Sequence, residues 1–245
     1  MAITGAAELL ATWEAGLAEA PTGRALLLHR TARPDVDTAT LPVLPVGERE
    51  ADLFALRRAL FGERMQVRLA CSACGTDMEF DLDAGEFARS LAGQGTPGDS
   101  VVRVRQDGWD VEFRLPGVAD LTAAARAADP RTALLARCLV SAARDGTPVG
   151  AGDLPVPVQR RIAEAVEATD PGADVTLTIA CPECGEATRA ELDIASYLWT
   201  ELDAWARDLL LDVHLLATSY GWSEPEILAL SPLRRRYYLE LCADV

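Results

Sequence analysis

Two short cysteine motifs constrain this chain more than anything else in it. Cys71-Ser72-Ala73-Cys74-Gly75 recurs as Cys181-Pro182-Glu183-Cys184-Gly185, 110 positions later. Two residues between thiolates let both sulfurs reach one ion about 2.3 Å away. The glycine after the second cysteine lets the backbone turn sharply. Each pair supplies two ligands, and Zn²⁺ takes four in a tetrahedron. No histidine or further cysteine pair lies between the motifs. The spacing therefore predicts one shared centre, Cys71, Cys74, Cys181 and Cys184 around a single Zn²⁺. Four thiolates leave no open position for water, so such an ion is structural rather than catalytic. The 106 residues between the pairs must fold as an insert whose ends the metal ties together.

The motifs sit in matching contexts. The same shift of 110 pairs Gly62 with Gly172, Ala70 with Ala180, Leu82 with Leu192 and Asp83 with Asp193. A looser match sets Leu41-Pro42-Val43 beside Leu154-Pro155-Val156. Both copies read helix, glycine, strand, CxxCG, strand, aspartate. A thioredoxin-like redox pair is the alternative use of CxxC, but it would place the motif at a helix N-terminus. Here both motifs lie between alternating, strand-like runs.

Apolar spacing supplies the remaining elements. Helices are expected over 4–18, capped by Thr4, and over 24–30 after a break at Pro21 and Gly23. A Pro-rich connector follows at 33–47, then a helix over 48–61 with Leu53, Leu56, Leu60 and Phe61 inward. Residues 92–100 read as a loop. Residues 101–105 and 109–115 alternate around Asp107-Gly108, a hairpin signal. Helices return near 118–128, 130–144 and 155–168. The last fifty residues carry the strongest helical period, from Ile194 through Leu198, Leu202, Trp205, Leu209 and Leu216, with Gly221 as its stop. Ser223 with Glu226 forms a capping-box pattern. Ser231-Pro232 opens a terminal helix. The fold class is α+β: mostly helical, with a duplicated CxxC zinc-ribbon β element and a β-hairpin. Three segments follow: an N-terminal helical segment (1–40), the duplicated unit with its hairpin and helical insert (41–193), and a C-terminal helical region (194–245).

Charge narrows the function. Twenty-three cations against 38 acids give −15, and a Zn²⁺ held by four thiolates adds −2. Such a surface repels phosphate, which argues against nucleic acid or an anionic membrane as partner. No apolar run is long enough to span a bilayer. The first thirty residues lack a basic n-region, so a cytoplasmic protein is expected. The two histidines, His29 and His214, offer little acid–base material. No phosphate loop, nucleophile elbow or triad is present, and an enzyme is not expected. Cys138, on a helical apolar face, and Cys242, near the terminus, read as core or incidental cysteines, and Asp203 as a solvated helix position.

Several segments resemble a known family. Residues 9–26 (LLATWEAGLAEAPTGRAL), 43–62 (VLPVGEREADLFALRRALFG), both cysteine knuckles and 194–239, with its GWSEPEILALSP stretch, carry the likeness. Together they resemble the baseplate hub assembly chaperones of contractile phage tails and phage-tail-like contractile injection systems. The resemblance implies a non-enzymatic assembly chaperone or adaptor whose partners are baseplate or hub and spike proteins. A permanent baseplate component is the alternative; a CxxC redox protein and a zinc-ribbon nucleic-acid binder stand further off. Aromatics beside arginine are common interface anchors, so Trp222, Arg234, Arg235 and Tyr237 are the candidate docking residues.

Overall fold

The computed structural model describes residues 5–90 and 100–243. In chain order its elements are α1 (Ala6–Leu17), α2 (Pro21–Ala32), α3 (Val46–Phe61), β1 (Arg64–Ala70), β2 (Asp77–Asp83), α4 (Ala84–Ser90), β3 (Val101–Gln106), β4 (Trp109–Arg114), α5 (Val118–Ala125), α6 (Pro130–Cys138), β5 (Leu139–Arg144), β6 (Thr147–Pro148), α7 (Val156–Thr169), β7 (Thr176–Ala180), β8 (Ala187–Glu191), α8 (Ile194–Tyr220), α9 (Glu224–Leu228) and α10 (Pro232–Ala243). Single 3-10 turns precede α3 at Leu41–Val43 and α7 at Ala151–Asp153. The fold is α+β: helices around small antiparallel sheets. The expected cap Thr4 and nearly all of the 92–100 loop lie outside the described residues.

The chain divides into two units. One is Ala32–Ile194; the other joins the N-terminal helices to everything from Ala195 onward. The first sequence segment as far as Thr31 thus folds with the third from Ala195 onward, while 32–40 belong to the larger unit.

In the larger unit the repeat is closer than the sequence matches suggested. The 3-10 turns start at 41 and 151, the following helices at 46 and 156, and the helices after the hairpins at 84 and 194. All three pairs keep the shift of 110. The proline motifs in register are therefore Leu44-Pro45-Val46 and Leu154-Pro155-Val156, not the pairing with Leu41-Pro42-Val43. Pro45 and Pro155 both stand at the helix N-cap in extended conformation, where a missing N–H costs nothing. Each helix leads into a two-stranded hairpin, β1 with β2 and β7 with β8.

On α3 the buried side is Leu53, Phe54, Leu56 and Arg57; Leu60 and Phe61 are only half-buried. Arg57 is almost sealed from solvent, and its guanidinium donates to the Gly62 and Arg64 carbonyls at 2.7 and 2.6 Å. It satisfies the backbone where the chain swings from helix into β1.

Between the repeats lies a four-stranded sheet of order β3-β4-β5-β6. Val102, Val104, Trp109, Val111 and Phe113 alternate inward, and Leu135, Cys138, Leu154, Val158 and Ile162 cover them. Two Asp-Gly turns make this sheet. Asp107 and Gly108 have φ of 50° and 80°, and Asp145 and Gly146 have 50° and 81°, the two left-handed residues of a type I′ hairpin. The expected helix over 130–144 thus stops at Cys138, and 139–144 is strand β5. Val140 and the Asp145-Gly146 turn favour that outcome.

In the second unit, α1 and α2 accompany α8–α10. Pro21 opens α2 rather than breaking it, as Pro does at a first helical position. Trp13 donates its indole N–H to Asp203 at 2.8 Å, so Asp203 is a structural acceptor and not a merely solvated carboxylate. Arg207 and that indole together hold the Asp203 carboxyl below the ordinary aspartate value. Gly16 is buried where an added Cβ would run into the Trp199 ring. Arg24 lies 4.7 Å over the same ring. Leu198, Leu202, Leu209 and Leu216 form the buried stripe of α8. No helix among the described residues is long and apolar enough to cross a membrane.

Candidate metal centre

The tips of the two hairpins meet through their sulfurs. Cys71, Cys74, Cys181 and Cys184 place all four Sγ atoms within 4.8 Å of one another. Two close approaches cross between the hairpins: Cys71 to Cys184 is 3.6 Å and Cys74 to Cys181 is 3.7 Å. Four sulfurs about 2.3 Å from a central ion, at tetrahedral angles, stand about 3.8 Å apart. The cluster therefore has the size and the donor set that a tetrahedral thiolate metal requires, and it could hold such an ion.

Both knuckles are built alike. Gly75 donates its N–H to the Cys71 carbonyl, and Gly185 donates to that of Cys181, each at 2.9 Å. The Cys71 amide reaches the Thr76 carbonyl at 2.8 Å and the Cys181 amide that of Glu186 at 2.9 Å. Gly75 and Gly185 have φ of 75° and 74°, the left-handed region in which a side chain is strained. The first cysteine of each motif is buried and the second exposed. Leu69, Met78 and Ile179 pack around the two buried sulfurs.

One position breaks the symmetry, and the break is compensated. Ser72 keeps a backbone N–H, which donates to Thr188 Oγ1 of the other hairpin at 3.2 Å. At the corresponding place in the second knuckle stands Pro182, which has no N–H. The residue that matches Thr188 under the repeat is Met78, which needs no donor. Thr188 is buried and bonds one hairpin to the other beside the sulfurs, a contact the motif alone did not point to. The Ser72/Pro182 difference was the available signal.

The sulfurs are electrostatically unequal. The Cys74 and Ala73 amides, with the Thr188 hydroxyl, draw the Cys71 thiol down to about 6. The Thr76 hydroxyl and amide lower Cys74. Cys184 is pushed up to about 12: the Glu186 amide works to lower it, but Cys74, burial, Cys71 and Cys181 outweigh that. Sulfurs this close cannot all ionise without a cation among them. Cys138 lies apart in the sheet core, where burial lifts its thiol to about 11; that is an inert packing cysteine.

The candidate docking residues separate into two kinds. Trp222 is half-buried, stacked on Tyr220 at 4.7 Å and edge-on to Tyr238 at 4.9 Å. Arg235 is buried, its Nε 3.0 Å from the Asp212 carboxylate. Arg234 and Tyr237 face solvent, and Tyr237 lies in a stripe with Leu233 and Leu241, 59%, 65% and 57% exposed respectively. The Ser223–Glu226 capping box forms, with the Ser223 amide 2.8 Å from the glutamate.

Compared with known families, residues 26–199 match the model described as T4 bacteriophage base plate protein. No curated protein matches the chain, and no solved structure does.

Proposed function

Because this chain belongs to the T4 bacteriophage base plate protein family, we propose that its baseplate-associated role is that of a non-enzymatic assembly chaperone or adaptor for the hub and spike proteins of a contractile particle. The family match, which spans both cysteine knuckles, is the observation that carries this reading. The ion in the cluster is Zn²⁺, favoured by four cysteine ligands and a closed tetrahedron. When bound it supplies folding energy by joining the two repeats. The chain's own residues do the rest. The knuckle glycines turn the backbone, the Ala73 and Cys74 amides face the Cys71 sulfur, and Thr188 locks one hairpin to the other.

The protein works in the cytoplasm, where thiols stay reduced and available for metal. Its docking surface on the terminal helix is the exposed stripe Leu233, Tyr237 and Leu241 with Arg234. Trp222 and Arg235 support that surface from beneath. Co-expression with the baseplate proteins of its particle tests the role: Leu233→Ser, Tyr237→Ser should lose most of the captured hub protein without lowering the melting temperature. Full capture by that folded variant rejects the surface.

The family description names a base plate protein, which favours a second reading, a permanent component. Fixed stoichiometry in purified particles selects it; absence from particles with capture during assembly selects the chaperone.

A further inference from the structure

The two hairpins are copies, yet their outer faces differ. On the first, cross-strand ion pairs close the surface: Arg64 reaches Asp81 at 2.8 Å and Arg68 reaches Glu79 at 2.6 Å. On the second, the residues in those places are different. Position 68 is matched by Thr178 and position 79 by Arg189, and these two are directly paired across β7 and β8. A guanidinium thus stands where its counterpart strand offers a hydroxyl instead of a carboxylate. Among the described residues no carboxylate lies within ion-pair distance of Arg189.

Thr178 and Arg189 also form the rim of a groove of about 860 Å³ within the larger unit. Its floor is apolar: Phe113, Leu135, Ile162 and Val166. Phe113, Leu135 and Ile162 are already buried in the sheet core, so the floor is pre-formed rather than dependent on a moving side chain. Arg131 adds a second cation to the lining; Glu167, Asp170 and Asp174 also line it, with Asp170 already accepting from the Gly47 amide and Asp174 from the Thr176 hydroxyl, each at 3.0 Å. Polar groups converging on a pre-formed apolar concavity are the usual make-up of a binding site.

We infer that this groove binds a segment of a partner polypeptide in which a large apolar side chain fills the floor and an adjacent Asp or Glu pairs with Arg189. The inference rests on the partner-binding reading above and adds a site and a recognition chemistry to it. The three carboxylates Glu167, Asp170 and Asp174 disfavour a second acid on their part of the lining and so orient the segment. The repeat copy shows what is missing: in the first hairpin the protein supplies the carboxylate itself, and in the second the ligand does.

The test uses the full, metal-loaded chain and labelled 12-residue peptides tiling the baseplate proteins of its particle, with decanoate as the non-peptide probe. The expected binders carry a large apolar residue beside an acid, and changing that acid to its amide weakens them about fivefold, in the range of an exposed ion pair. Arg189→Gln should cause the same loss and add nothing when the peptide acid is already gone. Thr178→Glu restores the cross-strand pairing of the first hairpin and should compete with the ligand while keeping the melting temperature. Ala163→Trp, on the groove-facing side of α7, should abolish binding. Peptides indifferent to Ala163→Trp or Arg189→Gln overturn the inference, as does decanoate saturating the groove while no peptide binds. If whole baseplate proteins are still captured in those cases, the groove fails and the family role stands; if nothing is captured, both fail.

Discussion

Metal removal is the perturbation whose size the structure fixes best. The ion would join sulfurs 110 positions apart, closing a long loop in the unfolded chain. The loop-entropy relation used for cross-links gives about 16 cal/mol/K for such a loop, or about 4.8 kcal/mol at 25 °C. The unit that contains the centre spans Ala32–Ile194, roughly 160 residues, with an unfolding entropy of about 340 cal/mol/K near its midpoint. Dividing one by the other predicts a fall of about 14 °C in melting temperature. Calorimetry of the reduced protein with and without a strong chelator measures it. Cys71→Ser with Cys181→Ser should reproduce the fall and leave nothing further for the chelator to remove. A chelator shift under about 3 °C in protein shown to have lost its metal would refute the cross-link argument, because the ion would then be bridging parts that hold together without it.

Three further outcomes follow from particular contacts. Thr188→Val strips the Ser72 amide of its acceptor and should cost about 1–2 kcal/mol, with faster metal loss to a competing chelator; Met78→Leu, at the matching position, should leave metal release unchanged. Asp120 is buried and accepts from Arg114 at 2.7 Å, Arg137 at 3.2 Å and the Gly117 amide at 3.0 Å. Although burial opposes its charge, these donors hold its carboxyl below the ordinary value. Its stabilisation is therefore present above the unfolded aspartate pKa and fades as pH falls through the folded one, so Asp120→Ala should cost about 2–3 kcal/mol at pH 7 and flatten the acid limb of a melting-temperature profile. Asp170 has the opposite sign. Burial raises its carboxyl even though the Gly47 amide donates to it at 3.0 Å, so its contribution is full at low pH and lost as pH rises through the folded value; Asp170→Asn should match wild type near pH 3 and equal or exceed it at pH 7.

Much of this was legible because the informative residues act locally. CxxCG is a turn with its own hydrogen bonds, so it announces a knuckle wherever it occurs, and a tetrahedral ion demands two of them. The resemblance drawn from the quoted segments agrees with the family match. Asp107-Gly108 announced a hairpin for the same local reason. Asp145-Gly146 carried an identical signal and was overridden by the apolar run Leu134, Leu135, Cys138 and Leu139, which fits a helix and a buried strand equally well at that length. Tertiary context decided it: β5 completes a sheet by pairing with β4, which no period within 130–144 encodes.

The identities between the copies drew attention away from their differences, and the inferred partner site lies among those differences. A repeat whose two halves build one sulfur cluster needs both of them for it, so the sulfurs, the turn glycines and the helix-opening prolines are constrained twice over. The outer faces of the hairpins are not. One copy spends its strand positions on closing itself with Arg–acid pairs; the other leaves Arg189 opposite Thr178 beside an apolar hollow. Identity under the shift of 110 marks the residues that keep the fold, and departure from it marks the residues free to meet something else. Ser72 against Pro182 is the control for this logic: that departure is answered inside the molecule, by Thr188 standing where the other copy has Met78. The departure at Arg189 has no such answer among the described residues, which is why it points outward.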